Sequence, residues 1–137
     1  MKPGAVVDLV GLVQSVSELY KITRRDGHKH THKRTISLAD TSGCSIDVTL
    51  WGTIGSTEGG HQLEQLMLGG EPVFVACKGL RIVDLWGRRS LMSSMGSATN
   101  IAPNADVPEM AELRRWHAAG GKARHGHMSV RFFPGFL

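Results

Sequence analysis

The chain alternates between apolar runs that read as strands and short polar breaks that read as turns. Residues 5–16 (AVVDLVGLVQSV) are rich in Val and Leu and follow Pro3-Gly4. They predict a long strand, with Gly11 marking a bulge or bend inside it. Residues 19–23 extend that strand beyond the bend. Residues 33–40 (KRTISLAD) alternate, with Ile36 and Leu38 on one face and Thr35 and Ser37 on the other. After the turn Thr41-Ser42-Gly43, residues 44–52 (CSIDVTLWG) alternate again, Cys44, Ile46, Val48 and Leu50 against Ser45, Asp47, Thr49 and Trp51. Two alternating runs around a tight turn predict a β-hairpin.

The period then changes. Within residues 58–68, Leu63, Leu66 and Met67 fall at helical spacing, which predicts a short helix. Residues 72–84 (PVFVACKGLRIVD) form a second long β-rich run, interrupted by Gly79, and residues 90–95 return as a short strand after the turn Leu85-Trp86-Gly87-Arg88-Arg89. Residues 108–117 predict a terminal helix, with Asp106 as candidate N-cap, Pro108 at its start, Glu109 and Glu112 early and Arg114 and Arg115 late. Five strands with a helix between the third and fourth give a mostly all-β architecture. It is the order of the OB-fold, a small barrel, here with a C-terminal helix added. The expected domain covers residues 5–117, and residues 118–137 read as a Gly/His/basic tail, poorly tied down.

Composition narrows the function classes. The 137 residues suffice for one domain, and 41% hydrophobic with 20% charged residues fits neither a disordered chain nor a membrane protein. No apolar run reaches the ~20 residues that span a bilayer, and no charged-then-apolar leader opens the chain, so the sequence reads as soluble and intracellular. Cys44 and Cys77 form no CxxC, and both fall on strand positions as core thiols rather than nucleophiles. No P-loop, G-x-S-x-G or HExxH is present, and Asp40 and Asp47 sit at hairpin positions rather than as an acid–base pair. No catalytic residue and no cofactor is expected.

The net charge of +4 changes the picture only once it is located. Residues 21–34 hold Lys21, Arg24, Arg25, Lys29, Lys33 and Arg34 against a single Asp26, a net +5. In an OB barrel this segment joins the first two strands, and Arg88 and Arg89 lie in the loop joining the last two. Those two loops flank the usual oligonucleotide groove. A solvated charged loop is the plain alternative; two basic segments beside one groove favour a polyanion. If Leu50 enters the core, Trp51 faces the groove, where it either stacks a base or packs under a loop or the terminal helix. Thr49 shares its face. Trp86 is either a second stacking platform or a hairpin-tip ring folded onto its own strand, whereas Trp116 groups with Met110 and Leu113 as core. Lys33, Arg24, Arg25, Arg88 and Arg89 are candidate phosphate contacts. Arg34 is a further one, but it alternates with Ile36 and either points inward or caps the strand. His28, His30 and His32 would share one face of a strand, a spacing that can hold zinc, but no Cys lies near them and no metal is assigned. His125 and His127 are weaker still.

In sequence the chain resembles the large subunit of replication protein A, in particular the second of its tandem OB domains that bind single-stranded DNA. The strings that carry the resemblance are VVDLVGLVQSV (6–16), KRTISLADTSG (33–43), VTLWG (48–52), VACKGLRIVD (75–84), RSL (89–91) and PEMAELRRW (108–116), in order over most of the chain. The resemblance implies a non-enzymatic grip on single-stranded DNA in nuclear replication, repair and recombination. Other subunits or domains of the same complex and DNA-repair proteins are its implied partners. It implies base stacking on Trp51, with Lys33 and Thr49 touching DNA. The family's second aromatic belongs to an Asp-Phe-Gly-like turn. This chain reads Asp84-Leu85-Trp86-Gly87, with Leu85 in the aligned place and Trp86 beside it as the substitute. A protein-interaction module taking acidic peptides in the same groove is the competing reading.

Overall fold

The computed structural model describes residues 4–23, 30–56, 59–85, 88–93 and 99–121. Strand β1 (Val6–Val16) is buried along most of its length because it is covered on both faces. Val7, Leu9 and Val13 point into one hydrophobic cluster, Val10 and Leu12 into a second. Double burial explains why this segment reads as a continuous apolar run rather than an alternation. The chain then breaks and resumes as β2 (Tyr20–Thr23), which pairs with β3 (His30–Ala39). β4 (Ser45–Trp51) follows, then the short helices α1 (Thr53–Ser56) and α2 (Gly59–Leu68). β5 (Phe74–Leu85), β6 (Arg88–Ser93) and β7 (Asn100–Pro103) lead to the terminal helix α3 (Pro108–Ala118).

β1 pairs antiparallel with β3 through Leu12–Val16 and with β5 through Val6–Leu12. β3 pairs with β4, β4 runs parallel to β6, and β6 pairs with β5. Following these partners returns to β1, so β1, β3, β4, β6 and β5 close into a five-stranded barrel of the OB type. β7 adds to the free edge of β5. The interior holds Leu9, Ile36, Leu38, Ile46, Val48, Leu50, Val75, Leu80, Ile82 and Leu91, and Leu63 of α2 closes one end. Outside the barrel, Met110 and Leu113 of α3 pack on Phe74 and Ala76, with Trp116 partly buried beside them, as core.

The two glycines inside the long strands do more than bend them. The register of β1 shifts on either side of Gly11: between Val13 and Ser15 the extra residue is in β1, and opposite Val7–Leu9 it is in β5. At Gly11 itself a Cβ would stand 2.8 Å from the Leu38 Cβ, so glycine lets β3 approach. Gly79 takes φ +76° where β5 carries an extra residue opposite β1. Its N–H donates to Asp8 Oδ1 at 2.9 Å, and its carbonyl accepts from Thr99 Oγ1 at 2.9 Å. Asp8 is thus a buried acceptor inside an apolar run.

Four sequence expectations change. The basic segment is not all loop, because Tyr20–Thr23 pairs with His30–Lys33 as a ribbon around residues 24–29, which lie outside the described residues. β7 carries little sequence signal, since Ile101, buried in the barrel cluster, and Ala102, partly buried against the cluster under α3, are too few to show a period. Asp106 does not cap α3: Val107 holds the N-cap position without a side-chain bond, and Pro108 removes one of the amides a cap would serve. α1 is an additional turn of helix before α2. Among the described residues, no helix is long and apolar enough to cross a membrane.

Candidate nucleic-acid interface

Because the even-numbered residues of β4 from Ile46 to Leu50 are buried, its odd-numbered residues face outward. Pairing register extends that outer face across neighbouring strands. Lys33 lies opposite Trp51, Thr35 opposite Thr49 and Ser37 opposite Asp47. On the other side Thr49 pairs with Met92, which in turn pairs with Arg81 of β5. One shallow face therefore carries Lys33, Thr35, Thr49, Trp51, Met92 and Arg81.

Trp51 is half-buried and does not collapse under α3, whose apolar residues pack on β1 and β5 instead. Its backbone N–H donates to Ser93 Oγ at 2.9 Å, which ties the end of β4 to β6 just past their last ladder pair. The Lys33 ammonium lies 5.7 Å from the centre of the indole, a cation–π contact that holds both side chains over the face. Thr49 is half-buried in the same row as Thr35 and Met92. The face thus joins a ring for stacking, a hydroxyl and a cation on a long stem. Exposed Asp47 sits at the opposite end of β4, so a polyanion is favoured at the Trp51 end.

Arg34 belongs elsewhere. It is 3% exposed, its Nη1 donates to the Gly60 carbonyl at 2.8 Å, and its Nη2 lies 3.4 Å from Glu64. Of the two orientations its alternation with Ile36 leaves open, it takes the inward one, and it anchors α2 to β3 rather than lining the groove. Arg24, Arg25 and Trp86 lie outside the described residues. Arg88 and Arg89 begin β6, opposite Leu85 and Asp84, so their backbone stands at the end of the β5–β6 hairpin. His28, His125 and His127 also lie outside the described residues, and among those described no three metal-binding side chains gather.

Sequence reasoning missed Arg81. It is half-buried on the groove face, and its Nε is buried without a hydrogen-bond partner. The signal was present, since Leu80 and Ile82 enter the core and alternation turns Arg81 outward. Cys77 is fully buried, and burial first, then the nearby Asp8 carboxylate, pushes its thiol up to about 12. It is an inert core thiol, as its strand position predicts. Cys44 is half-buried, and neither cysteine forms a disulfide.

A family model described as the replication protein A OB domain matches residues 1–103. The chain belongs to the replication protein A OB-domain family. Among its relatives, a replication protein A 70 kDa DNA-binding subunit of Oryza sativa subsp. japonica is 43% identical over 117 residues, covering 85% of this chain and 12% of the relative. The replication protein A 70 kDa DNA-binding subunit of Xenopus tropicalis is 35% identical over 121 residues, covering 88% of this chain and 18% of the relative. The chain therefore spans under a fifth of the length of these two relatives. Among solved structures, a replication protein A heterotrimer bound to ssDNA superposes with a TM-score of 0.72 at 27% identity, covering 88% of this chain and 26% of that one. Fission yeast Pot1 with ssDNA gives 0.57 at 14% identity over 87% of this chain and 42% of that one, a likeness of fold alone.

Proposed function

We propose that this replication protein A OB domain binds single-stranded DNA with little base preference, in the manner of the second tandem DNA-binding domain of the large subunit. The observation that carries the reading is Trp51, held outward on the β3–β4 face by Ser93 with the Lys33 ammonium over its ring. A base stacks on the indole, Thr49 offers its hydroxyl, and Lys33 neutralises a phosphate. Arg81 adds a guanidinium on the same face. Arg24 and Arg25, between β2 and β3, and Arg88 and Arg89, at the start of β6, draw in the backbone, and Trp86 takes the second stacking position. Stacking reads the π-face that every base shares, which accounts for low sequence preference. The subunits with which the ssDNA-bound heterotrimer assembles, and DNA-repair proteins, are the proposed partners, and replication, repair and recombination in the nucleus the proposed setting.

The test is quenching of tryptophan fluorescence by oligo-dT across a salt series, with oligo-U and an acidic peptide as competitors. The expected result is saturable quenching that weakens as salt rises, and whose amplitude and affinity both fall in Trp51→Ala. Peptide binding without measurable affinity for oligo-dT would overturn the reading in favour of a protein-interaction module.

A further inference from the structure

The pairing register carries the groove face one strand beyond β3. Tyr20 of β2 lies directly opposite Lys33, which lies directly opposite Trp51. Opposed residues in a sheet project to the same side, so Tyr20, Lys33 and Trp51 form one row across β2, β3 and β4. Two inter-strand spacings put the backbones carrying the two rings about 10 Å apart. Ile22, two residues on, projects to the same side opposite Thr31.

Packing does not explain the ring. Tyr20 is 52% exposed and Ile22 39%, and neither joins the barrel cluster or the cluster under α3. A two-stranded ribbon with no core behind it gains nothing from displaying an aromatic residue and a β-branched apolar one on one face. In the same stretch of sequence, residues 21–33 hold Lys21, Arg24, Arg25, Lys29 and Lys33 against Asp26, a net +4 with the inward Arg34 left out. An apolar ring set in a cationic ribbon, continuous with an outward tryptophan, matches a ligand with flat apolar faces on an anionic backbone.

We propose that Tyr20 is a further base-stacking position, one nucleotide step outward from Trp51, and that the strand crosses β4, β3 and β2 in that order. Lys33 stands between the two rings and meets the phosphate that links the stacked nucleotides. The inference rests on the single-stranded DNA reading above and extends its path onto the β2–β3 ribbon.

Tyr20 is the chain's sole tyrosine, so biosynthetic 3-fluorotyrosine gives one fluorine resonance from the full chain. That resonance is expected to shift during oligo-dT titration along the same saturation curve as the tryptophan quenching. Tyr20→Ala and Tyr20→Leu should each weaken binding about five-fold or more, the scale of one stacked base. Tyr20→Phe should keep the affinity. Thermal melts of all three should match the wild type, since the ring joins neither core cluster. A stationary fluorine resonance and an unchanged affinity in Tyr20→Ala, with binding still weakened in Trp51→Ala, would overturn this inference alone. Absence of any quenching in the wild type would remove the DNA reading and this one with it.

Discussion

Lys33 and Trp51 face each other directly across β3 and β4, with the ammonium 5.7 Å from the indole centre. The contact keeps the ring standing on the outer face while the ligand is absent. It also places a cation within reach of whatever stacks there. The two residues should nevertheless separate in their effects on binding.

Replacing Trp51 with Ala should remove about 1–3 kcal/mol of oligonucleotide affinity. Trp51→Phe should retain much of it, because a smaller ring still offers a π-face. Both are read by anisotropy of a labelled oligo-dT, and equal losses in the two variants would contradict stacking.

Lys33→Gln should weaken binding at low salt and flatten its salt dependence. One phosphate contact on a single strand contributes about −0.7 to the slope of log affinity against log salt concentration. A salt series on wild type and variant measures the difference directly.

Arg34→Ala should act on stability instead. It deletes a buried hydrogen bond to Gly60 and strands Glu64, whose 38% exposure lets water screen most of that charge. The expected cost is about 1–3 kcal/mol in a urea titration, chiefly from the lost bond and packing. The salt slope of DNA binding should stay at the wild-type value, which separates this arginine from the groove cations.

Cys77 predicts both reactivity and a pH effect. At pH 8 an alkylating reagent should modify Cys44 in the native protein and reach Cys77 only after unfolding, read by mass spectrometry. Burial holds the folded thiol neutral up to about 12, whereas the unfolded thiol ionises near its ordinary value of 9.0. Unfolding therefore releases a proton above that value. The stability the neutral thiol contributes is fully present below about pH 9 and falls as pH rises toward 12. Cys77→Ala should flatten that alkaline decline.

The barrel was legible because its strands follow rules that a linear pattern records. Ile36, Leu38, Ile46, Val48 and Leu50 alternate with polar residues and all reach the interior. β1 was equally plain, though as an unbroken run, since α3 covers its second face through Val10 and Leu12. What the pattern hid were elements without a one-sided core. β2 is exposed along its whole length, so its pairing with β3 leaves no hydrophobic period: residues 19–23 read as an extension of the first strand and the partner segment before Lys33 as loop. Trp51 and Thr49 were placed by alternation alone. Arg34 needed three dimensions, because its partners, Gly60 and Glu64, come from a helix whose docking no local spacing encodes.

The parallel seam between β4 and β6 has a consequence for synthesis. Trp51 is seated by Ser93, 42 residues further along the chain. A nascent chain that has emerged only through β4 can form the β3–β4 hairpin, in which the Gly52 N–H donates to the His32 carbonyl, but the β6 side of the strand that displays the indole is still unpaired. The stacking surface comes into being when the last barrel strand zips in, so competence to bind arrives together with topological closure. Any ligand gripping that surface then also clamps the seam shut, and bound oligonucleotide should raise the melting temperature of the whole barrel.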